Sequence, residues 1–199
     1  GHKQLFSAAK KLASGGEIRV YPSRVKDPNK NPLEPSKKIG FLRKMYPEFS
    51  DNIIDNDYMV TIFDVLQVAN EDGFGNANIV VSADRQSEIQ NLANKYNNDI
   101  YKFNEIRVVS AGTSDAEKDA SGVSSAKARK AAIEGKFDQF KMGMPSDFEK
   151  SEVKKLYNAL RSAMGAKKQQ VESYELWKVA PNLDYKNLRE NYVSNKVFK

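Results

Sequence analysis

The chain has 199 residues, 40% hydrophobic and 29% charged, with a formal net charge of +6 and no cysteine. That length supports one well-buried core with a small appendage, and the lack of cysteine excludes disulfides, thiolate zinc sites and cysteine nucleophiles. No apolar run approaches the roughly 20 residues needed to span a bilayer. The basic residues are scattered among acids, without an Arg-rich run or zinc-finger spacing. The positive balance therefore suits a phosphate-bearing partner or simple solubility, and nucleic acid is not the expected ligand.

In chain order, Leu5, Phe6, Ala9 and Leu12 mark one face of an opening helix, and Gly15-Gly16 supplies its stop. Glu17 to Tyr21 alternates as a strand does, and a Pro- and Asn-rich loop follows over Asp27 to Leu33. Pro35 suits the first turn of a helix carrying Ile39, Leu42 and Met45 or Tyr46. Asn52-Ile53-Ile54 reads as a short strand. The next helix bears Ile62, Phe63, Leu66 and Ala69 and ends in Asp72-Gly73-Phe74-Gly75.

Ala77 to Ser82 is a near-continuous apolar run of the kind buried in parallel sheets. Ile89, Leu92, Ala93 and Tyr96 then repeat at helical spacing, and a strand over Ile106 to Ser110 precedes a helix from Ser124. Strands separated by amphipathic helices predict an open parallel α/β sheet with flanking helices. From Ser146 the pattern is helical only, with Val153, Leu156, Tyr157, Leu160 and Met164 forming a stripe that ends near Gly165. Residues 1–145 are thus expected to form the α/β domain, and residues 146–199 a helical extension and a polar tail with spaced aromatics, among them Trp177.

The chemistry is expected where strands end and helices begin. In open parallel sheets that edge gathers helix N-termini, whose free N–H groups attract anions. Ser124 and Ser125 suit the cap of such a helix, and Lys127 and Arg129 follow within its first turns. A cation there opposes the helix dipole by about 0.3–1 kcal/mol, so a bound phosphate would account for the placement. A capped surface helix with solvated basic residues accounts for it equally.

Val123 to Arg129 resembles the ISSTxxR motif of the cytidylyltransferase-like nucleotidyltransferases, and Gly1-His2 resembles the last two residues of their (H/T)xGH motif. Asn31 to Lys38 is similar to the loop before their second helix, where a lysine approaches the phosphates. Ser82-Ala83-Asp84-Arg85 resembles their nucleotide-contacting strand end, and Ala131 to Pro145 continues the likeness. The nearest likeness is to nucleotidyltransferases of large tailed bacteriophages, which implies a cytoplasmic setting in a host cell, or a virion.

The resemblance implies a Rossmann-like fold of the HUP type and transfer of AMP or CMP from ATP or CTP to a small phosphorylated acceptor, with release of pyrophosphate. It assigns catalysis to His2, Lys38 and Arg129, and nucleotide binding to Gly1, Asp84, Arg85, Ser124, Ser125 and Lys127. Mg2+ would arrive on the triphosphate, with no protein metal cage. Plainer roles stay open: Gly1-His2 also fits a tag remnant, Asp84 a helix cap, Lys37 and Lys38 a solvated helix start, and Arg129 a partner for Glu134.

Two features depart from the family pattern. Ala126 stands where the motif has threonine, and loss of one such donor can cost roughly 10²-fold in rate. The family also opens with a central strand leading into (H/T)xGH, so the sheet is expected to lack its first strand here. A preceding segment or another chain would complete it. These departures motivate an alternative function, a catalytically degenerate module that binds within a viral particle or another assembly.

Overall fold

Two strands, β1 (Asn76–Val81) and β2 (Glu105–Ser110), run parallel in the computed structural model, which describes residues 2–111 and 125–166. Their register sets Ala77 against Ile106 and Ile79 against Val108. A parallel pair needs a crossover, and α4 (Gln86–Lys95) supplies it, packing Ile89 and Ala93 into the interior. The fold is thus mixed α/β, with a two-stranded parallel sheet flanked by helices.

The two edges of this sheet differ. From α4, the Gln90 amide donates to Ile106 O (3.0 Å) and accepts from Val108 N (2.8 Å). Gln86 Nε2 donates to Val108 O (2.9 Å). Side-chain amides therefore occupy the outer backbone groups of β2. Among the described residues, no hydrogen bond reaches the opposite edge of β1.

The expected strand over Glu17 to Tyr21 contracts to a single parallel bridge between Val20 and Ile53. Val20 N donates to Asn52 O (2.8 Å), and Ile54 N donates to Val20 O (2.9 Å). The partner segment explains the contraction. Pro47–Asn52 is a 3₁₀ helix, so only Ile53 and Ile54 are extended enough to pair.

Three apolar clusters carry the helices. In the first, Phe6 of α1 (His2–Ala13) lies against Tyr46 (4.7 Å between centroids) and Phe49 (4.6 Å). Ile39 and Leu42 of α2 (Pro35–Met45) complete it with Ile53. Pro35 begins α2, where its fixed φ and missing N–H cost nothing. In the second, Leu66 of α3 (Ile62–Glu71) meets Ala93, Tyr101, Phe103 and Ile106. Thr61 starts α3 with a capping box: Thr61 Oγ1 accepts from Asp64 N (3.3 Å), and Asp64 Oδ2 accepts from Thr61 N (2.6 Å).

The third cluster joins α5 (Ser125–Ile133), α6 (Phe137–Met142) and α7 (Lys150–Ala163). Phe140 is fully buried there, edge-on to Tyr157 at 5.3 Å. Leu33, at the end of the loop before α2, packs into the same cluster, which brings that loop beneath α5. The described residues share one compact unit that ends at Ala166, so α7 packs with the helices before it. The expected polar tail lies outside the described residues.

Two substitutions probe this arrangement by urea denaturation. Phe140→Ala is expected to cost about 3–5 kcal/mol by opening a cavity, and Thr61→Ala about 1 kcal/mol through the lost cap. Both should shift the midpoint with an unchanged m-value. A Phe140→Ala loss below that of Thr61→Ala would contradict this core.

Candidate functional site

The loop of residues 21–34 leaves the Val20 bridge and leads into α2, and it gathers most of the expected cations. Its tip is a tight turn. Asp27 and Asn31 bond backbone to backbone in both directions (3.0 and 2.9 Å), and Asp27 Oδ1 accepts from Asn29 N (2.8 Å) and Lys30 N (2.6 Å). These N–H groups of Lys30 and Asn29 hold the Asp27 carboxyl below its ordinary pKa, and the positive charges of Lys30 and Arg129 add to the effect. Arg129 is therefore within electrostatic reach of the loop tip.

At the loop's start, Arg24 ties it to the segment after Ile53. Its Nη1 bonds Asp55 Oδ1 at 2.9 Å, and its Nη2 bonds Asp57. The Arg24 side chain is 10% exposed and sits just under the surface, whereas Asp57 is 88% exposed. These carboxylates, Asp55 first, raise the Arg24 pKa. Sequence reasoning missed Arg24, because its partners lie 31 and 33 residues away.

Lys38, in the first turn of α2, donates from Nζ to Ser23 O, directly beside Arg24. Partial burial and then the Arg24 charge lower the Lys38 pKa. His2, at the start of α1, joins the same group. It keeps exposed surface, yet the surrounding protein depresses its pKa by desolvation, and the positive charges of the amino terminus and Lys38 add to that. His2 thus feels the charge of Lys38, and Lys38 that of Arg24, which is itself held by Asp55 and Asp57.

Arg129 is half-buried on α5 and makes no ion pair among the described residues. Glu134, its suggested partner, pairs with Lys136 (2.8 Å) and more distantly with Lys130 (3.8 Å). Arg129 lines an open depression of about 290 Å3 with Asn29 of the loop tip, Ala126, Lys130 and Met164. Ala126 contributes only a methyl group where a hydroxyl was expected.

The structure brings together His2 and Lys38, and sets Arg129 beside the tip of the loop that Lys38 anchors. Asp84 and Arg85 lie exposed in a 3₁₀ turn after β1, and no described contact joins Arg85 to the loop. Ser125 and Lys127 are exposed on the first turn of α5. Gly1 and Ser124 lie outside the described residues. No family model, no curated protein and no solved structure matches the chain.

His2 is the only histidine, so its ring Hε1 resonance reports a single titration without overlap from another imidazole. The free protein should give a midpoint below 6.5, and inorganic tripolyphosphate should move it upward by neutralising the neighbouring cations. Because protonating His2 is harder in the folded chain, stability falls as pH drops from about 7 to about 5, and His2→Gln should flatten that slope. A midpoint above 6.5 in the free protein would overturn this electrostatic picture.

Proposed function

We propose that the chain is a nucleotidyltransferase of the cytidylyltransferase-like class, built on a Rossmann-like, HUP-type sheet. The observation that carries this reading is the cationic arrangement around the 21–34 loop. Lys38, His2 and Arg24 lie at one end of the loop, and Arg129 faces its tip. Two helices, α1 and α2, begin within this group, and their free N–H groups favour anions.

In this reading the triphosphate of ATP or CTP lies along the loop. A phosphoryl oxygen of a small acceptor attacks the α-phosphorus in line, the bond to the β-phosphate breaks, and pyrophosphate leaves. Positioning and charge neutralisation supply most of such catalysis. His2 donates to α/β-phosphate oxygens. Lys38 and Arg129 stabilise the charge that collects on the leaving pyrophosphate. Ser124, Ser125 and Lys127 hold the outer phosphates, Gly1 allows close backbone approach, and Asp84 and Arg85 contact the nucleoside.

Mg2+ enters on the triphosphate oxygens and screens their charge. No group of three or more potential metal ligands occurs among the described residues. The free edge of β1 supports a further strand, supplied by a preceding segment or another chain. The setting proposed is a cytoplasm, of a host cell if the chain is viral. No described helix is long and apolar enough to cross a membrane.

Isothermal titration with ATP or CTP and Mg2+ tests binding, and a pyrophosphate-release assay over a panel of small phosphomonoesters tests turnover. Arg129→Ala and Lys38→Ala should each lower kcat/KM by about 10²–10³-fold. Absence of binding by any nucleotide would overturn the reading. Tight nucleotide binding without turnover would instead favour the degenerate module that Ala126 suggests.

A further inference from the structure

The ion pairs of Arg24 are unequal in a way that suggests exchange. Its guanidinium is held from one side by Asp55, which is 35% exposed and follows directly on the Val20–Ile53 bridge. The other nitrogen is held by Asp57, which is 88% exposed. Asp57 belongs to a short surface turn, in which Asn56 Oδ1 accepts from Tyr58 N (2.9 Å) and Asn56 O accepts from Met59 N (3.2 Å). An ion pair with so exposed a carboxylate is weakened by solvent screening and is readily exchanged. The Asp55 pair, nearer the bridge, anchors the guanidinium, while the Asp57 pair can open without disturbing it.

A second cation, Lys38, is bonded to the residue just before Arg24 and feels its charge. Lys38 Nζ donates to the carbonyl of Ser23, and its remaining N–H donors have no partner among the described residues. A guanidinium and an ammonium tied to neighbouring residues of one loop favour an anion that both can reach. A dianionic phosphoryl group fits, since it matches the planar fork of arginine and takes an ammonium as a further donor.

We propose that Arg24 is the acceptor-recognition residue, a latch that Asp57 holds in the free protein and that a phosphate or phosphonate group on the acceptor takes over. This inference rests on the nucleotidyl-transfer reading and adds to it the chemistry of the second substrate. The incoming group displaces the Asp57 carboxylate from Nη2, keeps Asp55 on Nη1, and gains Lys38. A neutral or singly charged carboxylate acceptor cannot replace Asp57 at a profit, because it offers Arg24 no more than the aspartate it displaces.

The test titrates the whole chain with methyl phosphate, with acetate as the carboxylate control, and separately with ATP and Mg2+. Asp57→Asn removes the competitor and should tighten methyl phosphate by about two- to five-fold, the equivalent of one exposed ion pair. Arg24→Lys keeps the charge but loses the fork, and should weaken methyl phosphate relative to ATP by about ten-fold. Acetate should bind more weakly than methyl phosphate throughout. Melting curves confirm that each variant is folded, and Asp57→Asn, an exposed change, carries the test if Arg24→Lys is not. Methyl phosphate affinity that ignores both substitutions, or that falls in Asp57→Asn, overturns the latch even if nucleotides bind. Arg24-dependent phosphate binding with no nucleotide binding overturns the transferase reading and leaves the latch as an anion site.

Discussion

The parallel pairing of β1 with β2 is the constraint from which the rest of the architecture follows. Strands that run the same way cannot be joined by a hairpin, so the chain must return through a helix, and α4 makes that return. The Val20–Ile53 bridge is also parallel, with α2 and the 3₁₀ helix between its partners. Two such crossovers place irregular loops directly after extended segments. The loop of residues 21–34 and the turn bearing Asp55 and Asp57 both arise in this way, and Arg24 joins them.

A second constraint is electrostatic. The charge of Lys38 disfavours protonation of His2, and that of Arg24 disfavours protonation of Lys38, while Asp55 and Asp57 favour the charged form of Arg24. Other described cations pair with nearby acids, as Lys44 does with Glu152 (2.9 Å) and Lys155 with the same glutamate (2.6 Å). His2 and Lys38 thus lie beside a loop and two helix starts with no carboxylate partner among the described residues. Concentrated like charge of this kind opposes folding and favours the arrival of anions.

Much of the secondary structure was legible because its signals are local. Pro35 at the first position of α2, the spacing of Ile62, Phe63, Leu66 and Ala69 at α3 and the stripe from Val153 to Leu160 each depend on neighbours within one or two turns. The apolar run before Ser82 located β1 to within one residue. Glu17 to Tyr21 was over-read as a strand, because alternation describes one segment and pairing needs two. Its partner is mostly 3₁₀ helix. The short α6 went unread, since six residues carry too little periodicity. At the candidate site, Arg129 stood out by its place in the first turns of a helix, and Lys38 only through the resemblance of its loop. Arg24 did not, because what distinguishes it is the company of Asp55 and Asp57, and no local pattern encodes that contact.

The glutamine amides of α4 give the sheet a direction of growth. Gln86 and Gln90 satisfy the donors and acceptors along the outside of β2 as an adjacent strand would, so this flank is sealed against aggregation by its own crossover helix. Among the described residues, the edge without such partners is that of β1, where Ile79, Val80 and Val81 are half-exposed. A strand that extends the described sheet therefore meets its donors and acceptors on that side, and a substitution that freed Gln90 from Val108 would open the second flank as well.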